Sequence, residues 1–170
     1  SEFYTAYTPY QPEISQGTLQ SIFEYQTLMC QLTGMEVSNG SLYDGASSLA
    51  EAVLMGFRIT KRKKVLLSQA IHPEYRKVIE TYIDSDQQEI ILIPYKDGDG
   101  RTDEKALSDL LDETVSAVVI QSPNFFGVIE NLQGIGKEVH RVGGMMIAGF
   151  SEAIAYGILK PPGELEADIV

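Results

Sequence analysis

Three short stretches carry residue types able to do chemistry: Asp44-Gly45-Ala46-Ser47-Ser48, His72-Pro73 and Pro123-Asn124. The first reads as a tight turn opening into a helix. Asp44 can accept hydrogen bonds from the first free amides, Gly45 tolerates unusual backbone angles, and the small residues after it let another group come close. Free amides and the helix dipole both favour negative charge, so a cofactor phosphate fits there; an N-cap followed by small packing residues accounts for the same letters. His72 offers a ring that could stack on a flat cofactor or donate a proton, or that simply enters a helix before Pro73. Asn124 follows an apolar run and is placed to hydrogen-bond a group above a sheet edge, or to form a turn.

Other chemistries find no pattern. Neither histidine has Asp, Glu or Cys at metal-ligand spacing, and no serine sits in a G-x-S-x-G elbow. Gly134-Ile135-Gly136 lies inside a helical pattern without the third glycine of a dinucleotide turn. The loop around Asp97 and Asp99 fails as a calcium loop, because Arg101 and Thr102 stand where an oxygen ligand and a glycine are needed. Acidic residues outnumber basic ones 24 to 13, a formal charge of −11 in 170 residues, which disfavours nucleic acid and anionic membranes; the Lys61-Arg62-Lys63-Lys64 cluster reads as a helix end in water. No apolar run approaches membrane-spanning length. Cys30, the single cysteine, excludes an internal disulfide and is expected to be a buried core residue, in keeping with a reducing cytoplasm.

These groups depend on the elements that carry them. Leu49, Val53 and Phe57, four apart with Ala50 and Leu54 beside them, give the helix after Gly45 one buried face. Thr18 to Thr33 predicts an amphipathic helix through Leu19, Ile22, Phe23, Met29 and Cys30, ended by Gly34. Val65-Leu66-Leu67, Ile90 to Ile93, Ala117 to Ile120 and Met145 to Ala148 read as strands. Between them fall helical patterns at Glu74 to Ile83, after a Thr102 cap with Leu107, Leu110 and Leu111 inward, and at Glu130 to Val142. Such alternation predicts an α/β fold, a mostly parallel sheet with helices on both faces and its ligand site at the carboxyl ends of the strands. Asp44 to Ser48, His72 and Asn124 should converge there. Residues 1–17, with Tyr4, Tyr7, Tyr10, Pro9 and Pro12 and no periodicity, predict an extended segment ahead of a domain at 18–170. Both ends are abrupt, as expected of a piece of a longer chain.

The order of parts resembles the large domain of fold-type-I pyridoxal-phosphate enzymes. More specifically, Tyr7-Thr8-Pro9-Tyr10-Gln11-Pro12-Glu13-Ile14-Ser15-Gln16-Gly17, Tyr43-Asp44-Gly45-Ala46-Ser47, His72-Pro73-Glu74-Tyr75-Arg76, Pro123-Asn124-Phe125-Phe126-Gly127 and Leu159-Lys160-Pro161-Pro162-Gly163-Glu164 look like the P-protein of the glycine cleavage system. Among P-proteins the sequence is most similar to the first subunit of the two-subunit bacterial form. The resemblance implies a share in pyridoxal-phosphate-dependent glycine decarboxylation, with transfer of the aminomethyl group to the lipoyl arm of the H-protein.

A pyridoxal site needs a lysine to carry the cofactor and usually an acid against its ring nitrogen. This chain has Gly149-Phe150-Ser151 where that acid is expected, Asp44 where the phosphate would bind, and Lys160 too close after the fourth strand. The resemblance therefore implies that the cofactor belongs to a second, homologous subunit, and that Asp44, Gly45, Ala46, Ser47, His72 and Asn124 are vestigial cofactor-site positions. Tyr7, Tyr10 and Glu13 are the candidates for reaching the partner, since tyrosine joins rigid area to a polar tip; stapling their own domain is the plainer role. Two other readings stay open: a self-sufficient enzyme of the aminotransferase or cysteine desulfurase kind, with its lysine further along, and a noncatalytic interaction module.

Overall fold

Runs of branched apolar residues become the strands of one parallel sheet. The structure, a computed structural model, describes residues 10–83 and 86–170. The strands are β1 (Lys64–Ser68), β2 (Glu89–Ile93), β3 (Val115–Gln121) and β4 (Met145–Gly149), hydrogen-bonded in the order β2-β1-β3-β4. The helices are α1 (Gln16–Thr33), α2 (Gly45–Thr60), α3 (Pro73–Tyr82), α4 (Glu104–Leu110) and α5 (Leu132–Arg141), followed by 3-10 turns at Ala153–Gly157 and Pro162–Leu165.

Alternating side chains send the strands' apolar residues to two faces. Val65, Leu67, Ala117, Val119 and Ile147 meet Leu49, Val53 and Phe57 of α2 and Ile79 of α3 on one side. Leu66, Val118, Ile120 and Met146 meet Leu107 of α4 and Leu132, Ile135 and Val139 of α5 on the other. β3 is buried throughout, as the centre of a doubly covered sheet requires, whereas Leu92 on the edge strand β2 is exposed. At the amino edge Arg62 Nη1 donates to the carbonyls of Val115 (2.8 Å) and Val142 (2.9 Å), tying β3 to the end of α5. Beyond the last turn, Ile169 bridges in parallel to Ile147. Asp168 accepts from the Met146 amide and lies 2.8 Å from His140 Nε2, so the final residues are pinned to β4 and α5.

Several boundaries differ from expectation for local reasons. α1 begins at Gln16, after a turn in which Ile14 and Ser15 donate to the Gln11 carbonyl, so the segment expected to be extended is helical at its end; residues 1–9, with Tyr4 and Tyr7, lie outside the described residues. The helix expected from Glu130 starts at Leu132, because Asn131 Oδ1 accepts from the Gly134 amide and caps it. Thr102 does not cap α4: Asp103 does, accepting from the amides of Lys105 and Ala106, while the Thr102 hydroxyl turns inward. Cys30 is only part-buried on α1, not a core residue.

Gly136 tests the packing of α5. Alanine would raise helix propensity there by about 1 kcal/mol, yet its Cβ would lie 2.5 Å from Glu166 Cβ and 3.2 Å from the Glu166 carbonyl oxygen. Backbone at that distance cannot swing aside. Gly136→Ala in the full-length chain is expected to lower stability by about 1–3 kcal/mol, read as a lower urea midpoint at unchanged slope; a neutral or raised midpoint would contradict the contact.

Candidate functional site

The chain leaves β1 toward β2 on one side and later crosses back to β3 on the other, so strand order reverses between β1 and β3. Ligands of such sheets sit in the crevice at that reversal, beyond the carboxyl ends. The loops after β1, β2 and β3 meet there, and the start of α2 faces the same edge.

Glu130 is the hub of the loops. Its Oε1 accepts from the Thr102 amide (3.1 Å), the Thr102 hydroxyl (3.0 Å) and Asn124 Nδ2 (2.8 Å). Thr102 Oγ1 lies 2.7 Å from Ser68 Oγ, which in turn accepts from the Ala70 amide, and the Glu130 amide donates to Ser122 Oγ. Ser68, Thr102, Ser122, Asn124 and Glu130 are all buried. A cluster of this kind stabilises only when every member is paired, and here the pairs join the ends of β1, β2 and β3.

Asn124 belongs to that network. Nδ2 also donates to the Gly100 carbonyl (2.9 Å), and Oδ1 accepts from the amides of Phe126 (3.0 Å) and Val128 (3.1 Å). Both donor hydrogens and the acceptor oxygen are thus in use inside the loops, which leaves no donor for a group above the edge.

His72 enters α3 as its N-cap. Nδ1 accepts from the Glu74 amide (3.2 Å), Pro73 takes the first helical position, and the His72 amide donates to Gln121 Oε1 (2.9 Å). The ring centroid is 5.0 Å from Tyr75 and 5.0 Å, edge-on, from Phe125. Tyr75 continues to the start of α2: a Cβ at Gly45 would stand 2.8 Å from its hydroxyl oxygen. One phenol therefore fills the gap between His72 and α2, and the Phe125 amide, donating to the Ala70 carbonyl (2.9 Å), holds the loop of Asn124 beside them. The three predicted stretches do converge.

At the α2 start, Asp44 Oδ1 accepts from the Ser47 amide (2.7 Å) and Ser47 Oγ (2.6 Å), and the Asp44 amide donates back to Ser47 Oγ (3.3 Å). Ser48 Oγ donates to the Asp44 carbonyl (2.6 Å), and Ala46 is buried beneath. The Ser47 hydroxyl, then the Ser47 amide, hold the Asp44 carboxyl below the usual carboxylate range. The helix start is occupied by its own carboxylate.

These residues do not fit pyridoxal phosphate. The phosphate would need an amide that Asp44 already takes and would meet its negative charge. The cofactor ring would compete with Tyr75 for His72. Past β4, Phe150 packs edge-on against Tyr156 (4.8 Å), whose hydroxyl donates to the Ser122 carbonyl (3.2 Å) and is pushed up by burial to about 12. Lys160 is exposed beside Pro161, which lies against Gly34 at the end of α1. Among the described residues no group of three His, Cys, Asp or Glu could hold a metal ion, and no helix is long and apolar enough to cross a membrane.

None of Glu130, Thr102 and Tyr75 is a predicted site residue: the sequence reads Thr102 as a helix cap and Tyr75 as part of a helix-entry motif. Glu130 was read as the first residue of a helix, and its one local signal is an acid six residues past Asn124 at the end of an otherwise uncharged loop.

Removing the hub should cost more than neutralising it. Glu130→Ala leaves Asn124 Nδ2 and the Thr102 amide without their buried acceptor, an expected loss of about 2–4 kcal/mol in urea unfolding of the full-length chain. Glu130→Gln keeps one carbonyl acceptor and should lose less than half of that; equal losses would show that hydrogen bonding is not what the carboxylate supplies. For Asp44 the depressed pKa means its contribution is present above the ordinary carboxylate range and is lost as pH falls through the lowered value. A carboxyl NMR titration should place Asp44 below the usual aspartate value, and Ser47→Ala should move it back up; an unmoved midpoint would contradict the cap.

A family model described as the glycine cleavage system P-protein matches residues 1–170. The probable glycine dehydrogenase (decarboxylating) subunit 1 of Desulfitobacterium hafniense (strain DSM 10664 / DCB-2) is 58% identical over 170 residues, covering 100% of this chain and 37% of that protein. Its namesake from Anoxybacillus flavithermus (strain DSM 21510 / WK1) is 55% identical with the same coverage, so the chain spans about 37% of the length of these curated relatives. A crystal structure of glycine decarboxylase (P-protein) of the glycine cleavage system, in inhibitor-bound form, matches with a TM-score of 0.87 at 46% identity, over 98% of this chain and 37% of that one. DndA from Streptomyces lividans, at 16% identity and a TM-score of 0.70 over 99% of this chain and 46% of its own, shares the fold alone. The fold is that of the fold-type-I pyridoxal-phosphate enzymes. Matched by the family model along its whole length, and sharing more than half of its residues with these relatives, this chain belongs to the glycine cleavage system P-protein family.

Proposed function

We propose that the chain is part of the first subunit of a two-subunit, cytoplasmic glycine dehydrogenase (decarboxylating), which decarboxylates glycine and passes the aminomethyl group to the lipoyl H-protein. The observation that carries this reading is the 58% identity along the entire chain to a relative bearing the subunit 1 name. In this reading pyridoxal phosphate is held by the second subunit and supplies the electron sink for decarboxylation. This chain supplies fold, interface and walls.

The self-filled edge supports that division. Asp44 takes the amide that an anion would use, Tyr75 fills the space above Gly45, and Asn124 has no hydrogen-bonding capacity left. Asp44, Gly45, Ala46, Ser47, His72 and Asn124 are then vestigial cofactor-site positions, retained because they cap helices and order loops. Tyr10 and Glu13 are exposed ahead of α1, where with Tyr7 they would reach the neighbouring pocket and shape it without carrying the chemistry.

Release of labelled carbon dioxide from carboxyl-labelled glycine, with H-protein present, tests the reading. Full-length first and second subunits should be active together and inactive apart. Full activity of the second subunit alone would overturn it. Within the active pair, Tyr10→Ala and Glu13→Gln should lower turnover or raise the apparent glycine requirement while assembly is kept; loss of assembly would assign both residues to a structural contact instead.

A further inference from the structure

α1 has the length of a core helix and almost none of the burial. Of its eighteen residues only Thr33 is buried, and no α1 residue belongs to either apolar cluster of the sheet. One flank is engaged: Gln26 Nε2 donates to the Ser38 carbonyl (2.5 Å), and a Cβ at Gly40 would stand 3.2 Å from Ile22. The others carry large apolar side chains into the open, with Phe23 70% and Leu28 61% exposed. Five positions apart, these two leave the helix roughly 140° from each other. A helix that is apolar on several sides is one that is enclosed.

The neighbouring segments share this character. Tyr43, just before the α2 cap, is 97% exposed, and the Ala153–Gly157 turn beside α1 brings Ile154 (86%) and Ile158 (92%) to the same layer. From Gln16 to Tyr43, twenty-eight residues, Glu24 and Glu36 are the only charges, although the whole chain has a formal charge of −11. A solvated helix of such a protein would carry many charges. Depletion of charge together with exposed aromatic and aliphatic residues is the composition of an interface core. The exposed apolar area of this layer is on the order of 1,000 Å², comparable to one partner's share of a stable protein–protein interface.

We infer that α1, with Tyr43 and the 153–158 turn, is the surface on which the second subunit docks. This rests on the two-subunit reading above. The layer adjoins the carboxyl edge, since Tyr43 leads into the α2 start and the 153–158 turn follows β4. A partner seated on it faces the edge that this chain closes with its own side chains. The layer this chain offers is apolar and nearly uncharged, so association depends little on salt.

Binding of the full-length chain to the second subunit, followed by calorimetry, tests the assignment. Phe23→Glu and Ile158→Glu should each weaken assembly about 30-fold or more, with the melting temperature of the isolated chain unchanged. Raising sodium chloride tenfold should change the wild-type Kd by less than about threefold, because an apolar contact is not screened. Hydrogen exchange over residues 16–33 in the wild-type chain should slow when the second subunit is added. Unaltered assembly by both variants, unchanged exchange over 16–33, or a steep salt dependence would overturn the inference. So would a lowered melting temperature of the isolated variants, which would mean that the chain's own remaining length covers α1, or a self-dimer that the variants dissociate. A wild-type pair that assembles through α1 but does not release carbon dioxide from glycine would refute the functional reading alone.

Discussion

A single buried carboxylate fixes the working edge of this sheet. Three parallel strands end in loops of different length, and nothing in their ladders holds those loops to one another. Glu130 does so by accepting from Thr102 after β2 and Asn124 after β3, while Thr102 meets Ser68 at the end of β1. Because these groups are buried, each of these donors would be costly if left alone, so the loops have one arrangement in which all are paired. The positions of Phe125, Phe126 and, through Phe125, the ring of His72 follow from that arrangement.

The same closure decides what the edge can do. A site for an anionic, flat cofactor must keep amides free and leave a slot beside a ring, and this edge keeps neither. The amide of Ser47 is given to Asp44, and the slot between His72 and Gly45 is given to Tyr75. The carboxyl edge is closed by its own side chains, while α1 keeps bare apolar flanks. Both features are what the proposed division of labour between two subunits requires.

What could be read from the sequence was local. Unbroken apolar runs marked the strands, the Leu49, Val53 and Phe57 spacing marked α2, and Asp44 and His72 were legible as helix entries because a cap acts on amides two or three residues away. Convergence of the three stretches followed from strand and helix alternation, since a parallel sheet brings every strand end to one side. Glu130 was not legible: its partners lie twenty-eight residues upstream at Thr102 and six upstream at Asn124, and its place before an apolar repeat made it look helical. Thr102 was mistaken for a cap because Asp103 beside it has the same propensity, and only burial separates them. The apolar pattern of α1 was visible, but a pattern announces that a face is to be buried and not what buries it.

In the proposed two-subunit enzyme this chain shapes and supports a cofactor site held by its partner. Borohydride reduction of the assembled two-subunit enzyme, loaded with pyridoxal phosphate and mapped by peptide mass spectrometry, tests it most directly. The expected result is a pyridoxyl-modified lysine in the second subunit and none within residues 1–170 of this chain. A pyridoxyl group on a lysine of this chain, Lys160 included, would contradict it.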